Sequence, residues 1–206
     1  MVVQSLQTAA TCTTVIEADM SRVEAARKRL GVTALPLVAR ATIDTLREFG
    51  SLNATLEGET FTTYEGVHLG IAVSLGSGGL IVPVIRDAQD LSVEGLASRI
   101  KDLARRARAN ALTPDEDRGG SFTITNPGGY GSILATPVIN QPQVAILDTE
   151  AVVKRPVVIT DEHGTDSIAI RSMMYLCMSW DHRALDGALA AQFLSSLRKK
   201  LETWPI

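Results

Sequence analysis

The chain has almost no cysteine. Two thiols, Cys12 and Cys177, in 206 residues cannot form a disulfide framework of the kind that staples small secreted domains. Cys177 lies in the apolar run Met173-Met174-Tyr175-Leu176-Cys177-Met178 and reads as a small buried hydrophobe. The expected compartment is therefore a reducing one, the cytoplasm. Basic surplus is absent too: 20 Lys and Arg against 23 Asp and Glu give a formal charge of −3. That balance argues against a nucleic-acid partner. No apolar run approaches the ~20 residues that span a bilayer, and residues 1–5 lack the layout of a secretory signal, so no membrane partner is expected. Without such a signal the sequon Asn53-Ala54-Thr55 is not expected to carry a glycan. Linker-like composition, charge blocks and internal repeats are all missing, which leaves one domain. What is present is ordinary globular material, 45% hydrophobic and 21% charged, long enough to bury a sizeable core.

Most catalytic signatures are lacking as well. The sequence has no Gly-x-Ser-x-Gly elbow, no Walker loop, no His-Glu-x-x-His and no Cys-x-x-Cys, so no metal is expected. Gly76, Gly78 and Gly79 do not complete a dinucleotide fingerprint and read as a hairpin turn.

The pattern of elements is mixed. Residues 11–18 read as a strand. Ser21-x-x-Glu24 is a capping box for a helix that Gly31 stops, and a second helix follows over 34–49 with Pro36 in its first turn. Residues 61–64, 69–75 and 80–85 read as strands. Ser92 can cap a third helix, whose apolar stripe is Val93, Leu96, Ala97, Ile100, Leu103, Ala104 and Ala107. Thr113-Pro114-Asp115-Glu116 has the makings of a short fourth helix. Residues 121–125, 144–153, 157–160 and 168–180 are strand-like, with a hairpin tip at 161–164. A last helix runs over 187–203 with Leu189, Phe193, Leu194, Leu197 and Leu201 on one stripe. Strands and helices in this order predict an α/β two-layer sandwich with a mixed sheet.

Two segments stand out chemically. His163 sits in a polar turn and reads as solvated surface, and His68 opens an apolar strand and reads as structural. His182 differs: it lies in Trp180-Asp181-His182-Arg183-Ala184-Leu185-Asp186-Gly187, between a long apolar strand and an amphipathic helix. Such a junction is a place where a scaffold presents catalytic groups, and carboxylates one before and four after can orient an imidazole. The second segment, 119–132, is a short strand ending in Asn126-Pro127-Gly128-Gly129. There Phe122 and Ile124 face one side, Thr123 and Thr125 the other, and Thr125 ends the strand with a hydroxyl free to donate.

Together these segments resemble the catalytic domain of the dihydrolipoyl acyltransferase component of 2-oxo acid dehydrogenase complexes. His182-Arg183-Ala184-Leu185-Asp186-Gly187 is similar to that family's His-Arg-x-x-(Asp/Asn)-Gly motif, and Phe122-Thr123-Ile124-Thr125 to its Phe-Thr-Ile-(Ser/Thr) strand. Gly70-Ile71-Ala72-Val73, residues 80–88, Ile139-Asn140-Gln141-Pro142-Gln143 and Ala145-Ile146-Leu147 also match, in order along nearly the whole chain. The resemblance implies a chloramphenicol acetyltransferase-like fold and a homotrimer that can assemble into a larger core. It implies an active site shared between subunits, with CoA and dihydrolipoamide as substrates. The matching residues are His182 as general base, Thr125 as the oxyanion hydroxyl and Asp186 beside the base. It implies 2-oxo acid decarboxylase and dihydrolipoyl dehydrogenase as partner components. No lipoyl or subunit-binding domain is in the sequence, so residues 1–206 read as a catalytic domain from a longer chain. The segments 153–158 and 176–190 look most like bacterial branched-chain members, and Thr125 also like succinyl-transferring ones. Asp148 departs from the family, which more often has Gly there. Two alternatives are an antibiotic O-acetyltransferase, which carries His-His where this chain has Asp181-His182, and a non-catalytic structural core, which has no need of both His182 and Thr125.

Overall fold

The structure is a computed structural model and describes residues 2–76 and 79–205. The part of the predicted Gly76–Gly79 turn formed by Ser77 and Gly78 lies outside the described residues. A short helix α1 (Val2–Thr8) leads into strand β1 (Thr11–Asp19). Helices α2 (Ser21–Leu30) and α3 (Ala34–Glu48) follow, then a hairpin of β2 (Ala54–Glu57) and β3 (Thr60–Thr63). Short strands β4 (Leu69–Ile71), β5 (Val73–Ser74), β6 (Leu80–Ile81) and β7 (Val84–Ile85) precede helix α4 (Val93–Arg108). The second half holds β8 (Phe122–Thr125), β9 (Ala145–Thr149), β10 (Val153–Thr160), β11 (Asp166–Asp181) and helix α5 (Gly187–Glu202).

A mixed seven-stranded sheet runs in the order β1-β11-β9-β8-β4-β7, with β10 added to β11. Strand β11 is the spine. Its C-terminal part pairs with β1 along one edge, Asp181 opposite Thr11, and with β9 along the other, Trp180 opposite Ala145. Its N-terminal part pairs with β10, and Met173 faces both Asp19 and Val153, so β1 and β10 lie on opposite edges. Strands β4, β8 and β9 are parallel neighbours. Parallel strands are normally covered on both faces, and Phe122, Thr123 and Ile124 are all buried.

The helices line one face. Phe122 and Ile124 point there from β8, as the strand alternation requires, and Leu37, Ile43, Leu46, Leu96, Leu103, Leu194 and Leu197 meet them in one core. Phe193 of α5 stacks edge-on against Phe49 at 6.0 Å and tilted against Phe122 at 6.1 Å, so three rings tie α3, α5 and the sheet. The α/β two-layer sandwich with a mixed sheet is thus observed.

Local departures from expectation have physical causes. The capping box at Ser21 does not form: Met20 is the N-cap, Ser21 donates its N–H to Asp19, and Glu24 takes a bidentate pair from Arg27. Gly31 stops α2 at φ 67°, as expected. The predicted strands 69–75 and 80–85 each break in two. Pro83 has no N–H to give, and its carbonyl accepts from Ile71 while β5 and β6 leave the sheet as a separate pair. Residues 113–116 make a turn, not a helix: Glu116 accepts from Thr113 N–H but also holds the Arg106 guanidinium at 2.6 Å. Asn53 of the sequon is 2% exposed and its amide donates to Tyr64 O and Gly66 O.

Phe193 is fully buried between two rings, and its truncation leaves a cavity at the junction of both layers. Phe193→Ala should lower unfolding free energy by ~3–5 kcal/mol, measured by chemical denaturation, with the far-ultraviolet spectrum of the folded state retained.

Candidate active site

The His182 loop is built by a carboxylate that is not the histidine's own partner. Asp181 ends β11 and is 1% exposed. Its carboxylate accepts from Arg183 Nη2 at 2.6 Å, from Arg183 Nε, from the Arg183 N–H and from the Ala10 N–H. Its carbonyl accepts from Ala184 and Leu185 N–H. Burial works against ionisation of this acid, but the Arg183 bonds outweigh it and hold the carboxyl below its ordinary range. The clasp closes a tight turn between β11 and α5 and leaves His182 outward.

His182 is exposed, its backbone N–H donates to Ala10 O at 2.9 Å, and its ring lies 4.8 Å from the Trp180 ring. Asp186 is the N-cap of α5, and its carboxylate accepts the Leu189 N–H at 2.8 Å. Within this chain Asp181 is therefore spent on Arg183 and Asp186 on the helix start, and neither grips the imidazole. His68 Nδ1 accepts from Asp87 N–H, and the His163 side chain is solvated surface as expected, 80% exposed.

Thr125 ends β8 and opens on a cavity of about 370 Å³, walled by Ala72, Leu80, Val82, Pro137, Val138, Ile139 and Ile146, with Thr123, Asn140 and Asp148 as its other polar lining. Two of these polar groups are occupied: Thr123 Oγ1 donates to Gln143 Oε1 at 2.6 Å and accepts from Asn140. The turn after Thr125 is pinned to the end of β9. A methyl group at Gly128 would stand 2.3 Å from the Glu150 carbonyl carbon, so only glycine fits.

Asp148 sits beside Thr125 in the parallel register and opposite Cys177. Asp148 lies inside β9, 2% exposed, with Oδ1 unpartnered. Two residues on, Glu150 is 3% exposed with neither carboxylate oxygen partnered. Burial first, and the Glu150 charge second, push the Asp148 carboxyl up to about 7. Burial and the same two acids raise the Cys177 thiol above its usual range.

The register also separates the two principal candidates. Thr125 is level with Asp148 and so with Cys177, five residues before His182 on the β11 line. Five residues of strand and two strand spacings put them on the order of 20 Å apart. One chain holds an exposed imidazole and a hydroxyl that do not meet within it. Among the described residues no three His, Cys, Asp or Glu side chains gather as a metal site, and no helix is long and apolar enough to cross a membrane.

With that geometry in hand the comparisons are direct. The family described as 2-oxoacid dehydrogenases acyltransferase (catalytic domain) matches residues 1–205, and the chain belongs to it. It is 44% identical over 97% of its length to the dihydrolipoyllysine-residue acetyltransferase component of the pyruvate dehydrogenase complex of Mycobacterium bovis, covering 38% of that protein. It is 39% identical over 97% of its length to the Bacillus subtilis succinyltransferase component of the 2-oxoglutarate dehydrogenase complex, covering 49% of it. The B. subtilis lipoamide acyltransferase component of the branched-chain complex is 35% identical over 92% of the chain, covering 46% of that protein. The chain thus spans less than half the length of these relatives. All three acyl types match, and the acetyl type ranks above the branched-chain one, against the expected leaning. A crystallographic and enzymatic study of a serine, a histidine and an asparagine in the mechanism of Azotobacter vinelandii dihydrolipoamide acetyltransferase supplies a structure with TM-score 0.90, 32% identical, covering 98% of this chain and 85% of that one. The cubic core of a pyruvate dehydrogenase multienzyme complex has TM-score 0.88, with 32% identity and the same coverages. Chloramphenicol acetyltransferase, at 12% identity, TM-score 0.60 and coverages of 94% and 87%, shares the fold.

The raised Asp148 carboxyl makes stability depend on pH. Folding keeps this proton while the unfolded chain releases it near the ordinary value of 3.8, so stability falls as pH rises from about 4 to about 7 and then levels. Asp148→Asn removes the effect. Its melting temperature should overtake that of the wild type across that window, with the gap constant above pH 7.5; parallel melting curves at all pH values would contradict the assignment.

Proposed function

We propose that this domain transfers a short acyl group between dihydrolipoamide and CoA, with His182 as general base and Thr125 as oxyanion donor. The observation that carries the reading is the pairing of an exposed imidazole on a clasped loop with a strand-end hydroxyl in an apolar cavity, in a chain of this family. The A. vinelandii study concerns the role of a serine, a histidine and an asparagine in the catalytic mechanism; Thr125 and His182 match the first two in kind, while Asp186 is a carboxylate where the third is an amide.

The chemistry suits these groups. The nucleophile is a thiol with a free pKa near ~8.5, against ~6.5 for imidazole in general, so complete transfer of the proton before attack costs ~2.7 kcal/mol. Accepting it as the sulfur attacks the thioester carbon avoids a free thiolate. The resulting oxyanion takes the Thr125 hydroxyl bond, and collapse expels the second thiolate, which recovers the proton from the imidazolium. The two thiols are alike, so one base serves both directions. Asp186 holds the start of α5 and with it the loop that carries the base, a positioning role. No metal enters the scheme.

The ~20 Å between Thr125 and His182 along one chain supports reading the site as shared between two subunits. The reading is a homotrimer, with His182 of one copy facing Thr125 of the next, able to build a larger core as in the cubic pyruvate dehydrogenase assembly. Exposed Val3, Leu6, Tyr130 and Leu134 offer apolar surface for such contacts. The whole protein is read as a complex component in the cytoplasm, working with 2-oxo acid decarboxylase and dihydrolipoyl dehydrogenase. Similarity favours acetyl transfer over the branched-chain preference that segments 153–158 and 176–190 suggested.

His182→Ala should lower turnover by ~10²–10⁴-fold. Thr125→Val keeps the β-branched shape and should cost ~10²–10³-fold in turnover with little change in KM, while Thr125→Ser retains most activity. Steady-state kinetics with dihydrolipoamide and acyl-CoA decide this, and equal activity of the Val and Ser variants would refute the oxyanion role. Co-expressed His182→Ala and Thr125→Ala chains should recover about a quarter of wild-type activity, since each randomly mixed trimer holding both chains has one intact site. No recovery would contradict the shared site.

A further inference from the structure

We propose that Asp148, backed by Glu150, makes the cavity at Thr125 accept uncharged acyl groups and reject those that end in a carboxylate; the inference rests on the acyltransferase reading above. The oxyanion forms on the acyl carbonyl carbon and must come within hydrogen-bond reach of the Thr125 hydroxyl. The acyl chain then extends into the cavity that Thr125 lines. The walls there are aliphatic, with Ala72, Val82, Val138 and Ile146 among them, and Thr123 and Asn140 are already engaged with each other and with Gln143. The polar group left over is Asp148, neighbour of Thr125 in the register, 2% exposed, with a buried oxygen that has no partner. Glu150, one residue beyond the end of β9, adds two more buried oxygens without a partner. The other groups facing Asp148 bring no positive charge: Cys177 on β11, Thr125 on β8 and Asn140 from the covering segment.

A neutral two- to four-carbon chain meets apolar walls in this space. A succinyl chain brings a second carboxylate to within several ångströms of Asp148, among aliphatic walls and with no cation of the same chain in the cavity lining to receive it. Charges of one sign at ~5 Å and an effective dielectric constant of ~20 disfavour that complex by about 10²-fold. At pH 8 Asp148 is ionised, since its carboxyl titrates at about 7, and the discrimination is at its fullest.

The test compares kcat/KM at pH 8 for acetyl-CoA, isobutyryl-CoA and succinyl-CoA with dihydrolipoamide, using the assembled protein. Wild type should use succinyl-CoA at least tenfold less well than acetyl-CoA. Asp148→Asn, equal in shape, should raise the succinyl-to-acetyl ratio tenfold or more, a ratio that a merely structural role would not move. Succinyl transfer by the wild type as fast as acetyl transfer overturns the inference, and this arm decides even if the variant fails to fold. An Asp148→Asn variant that changes both acyl groups by one factor overturns it too. A wild type that transfers none of the three acyl groups overturns the acyltransferase reading itself, and the inference with it.

Discussion

The backbone ladder of β11 carries β1 along one edge and β9 and β10 in succession along the other. Every other part of the molecule is placed by that pairing. The register through β9 sets the depth of β8, and so where Thr125 stops. The C-terminal end of the ladder sets where the chain turns out toward His182. Helix α5 then folds back over the sheet, and Phe193 locks it between Phe49 and Phe122. A one-residue slip in β11 would swap every side chain of the strand between the two faces of the sheet, turning Met178 and Leu176 away from the helix-side core and the buried Cys177 toward it.

Two buried acids show how differently one fold treats the same functional group. Asp181 is surrounded by donors, from Arg183 and from the backbone at Ala10, and is held charged. Asp148 has no such partner and is driven toward its neutral form. The first organises a loop, since a satisfied charge fixes the groups that satisfy it. The second lines the cavity on which Thr125 opens. Buried, unsatisfied and beside the candidate hydroxyl, it is the feature of the cavity that packing alone does not account for.

Much of the fold was legible because the chain marks its helix ends. Ser92 capping α4 and Gly31 closing α2 are local interactions that need no tertiary context. The stripe on α5 was legible because one face of that helix meets the core. The β2–β3 hairpin was only half seen: residues 61–64 read as a strand, but β2 is four residues long and its burial does not alternate, so no period of two marks it. The break at Pro83 depends on which neighbours a strand acquires, and the failed helix at Thr113 on a distant arginine, Arg106. The candidate residues were legible as motifs. The distance between them was not, because it is a property of strand register. Asp148 reads in the sequence only as a departure from a family pattern and Glu150 is not singled out, although two acids two residues apart at the end of an apolar strand are themselves a signal.

Gly128 bears on how this site could change over generations. Its α-carbon is pressed against the peptide between Glu150 and Ala151, so no side chain of any size is tolerated there. The strand end that presents Thr125 and the stretch of β9 that presents Asp148 and Glu150 are consequently two walls joined at a seam. Neither can shift without carrying the other. New acyl preferences in this scaffold are thus more accessible through exchanges of side chains at Asp148 and Glu150 than through lengthening or reshaping the loop. The seam conserves the frame and leaves the lining free to vary.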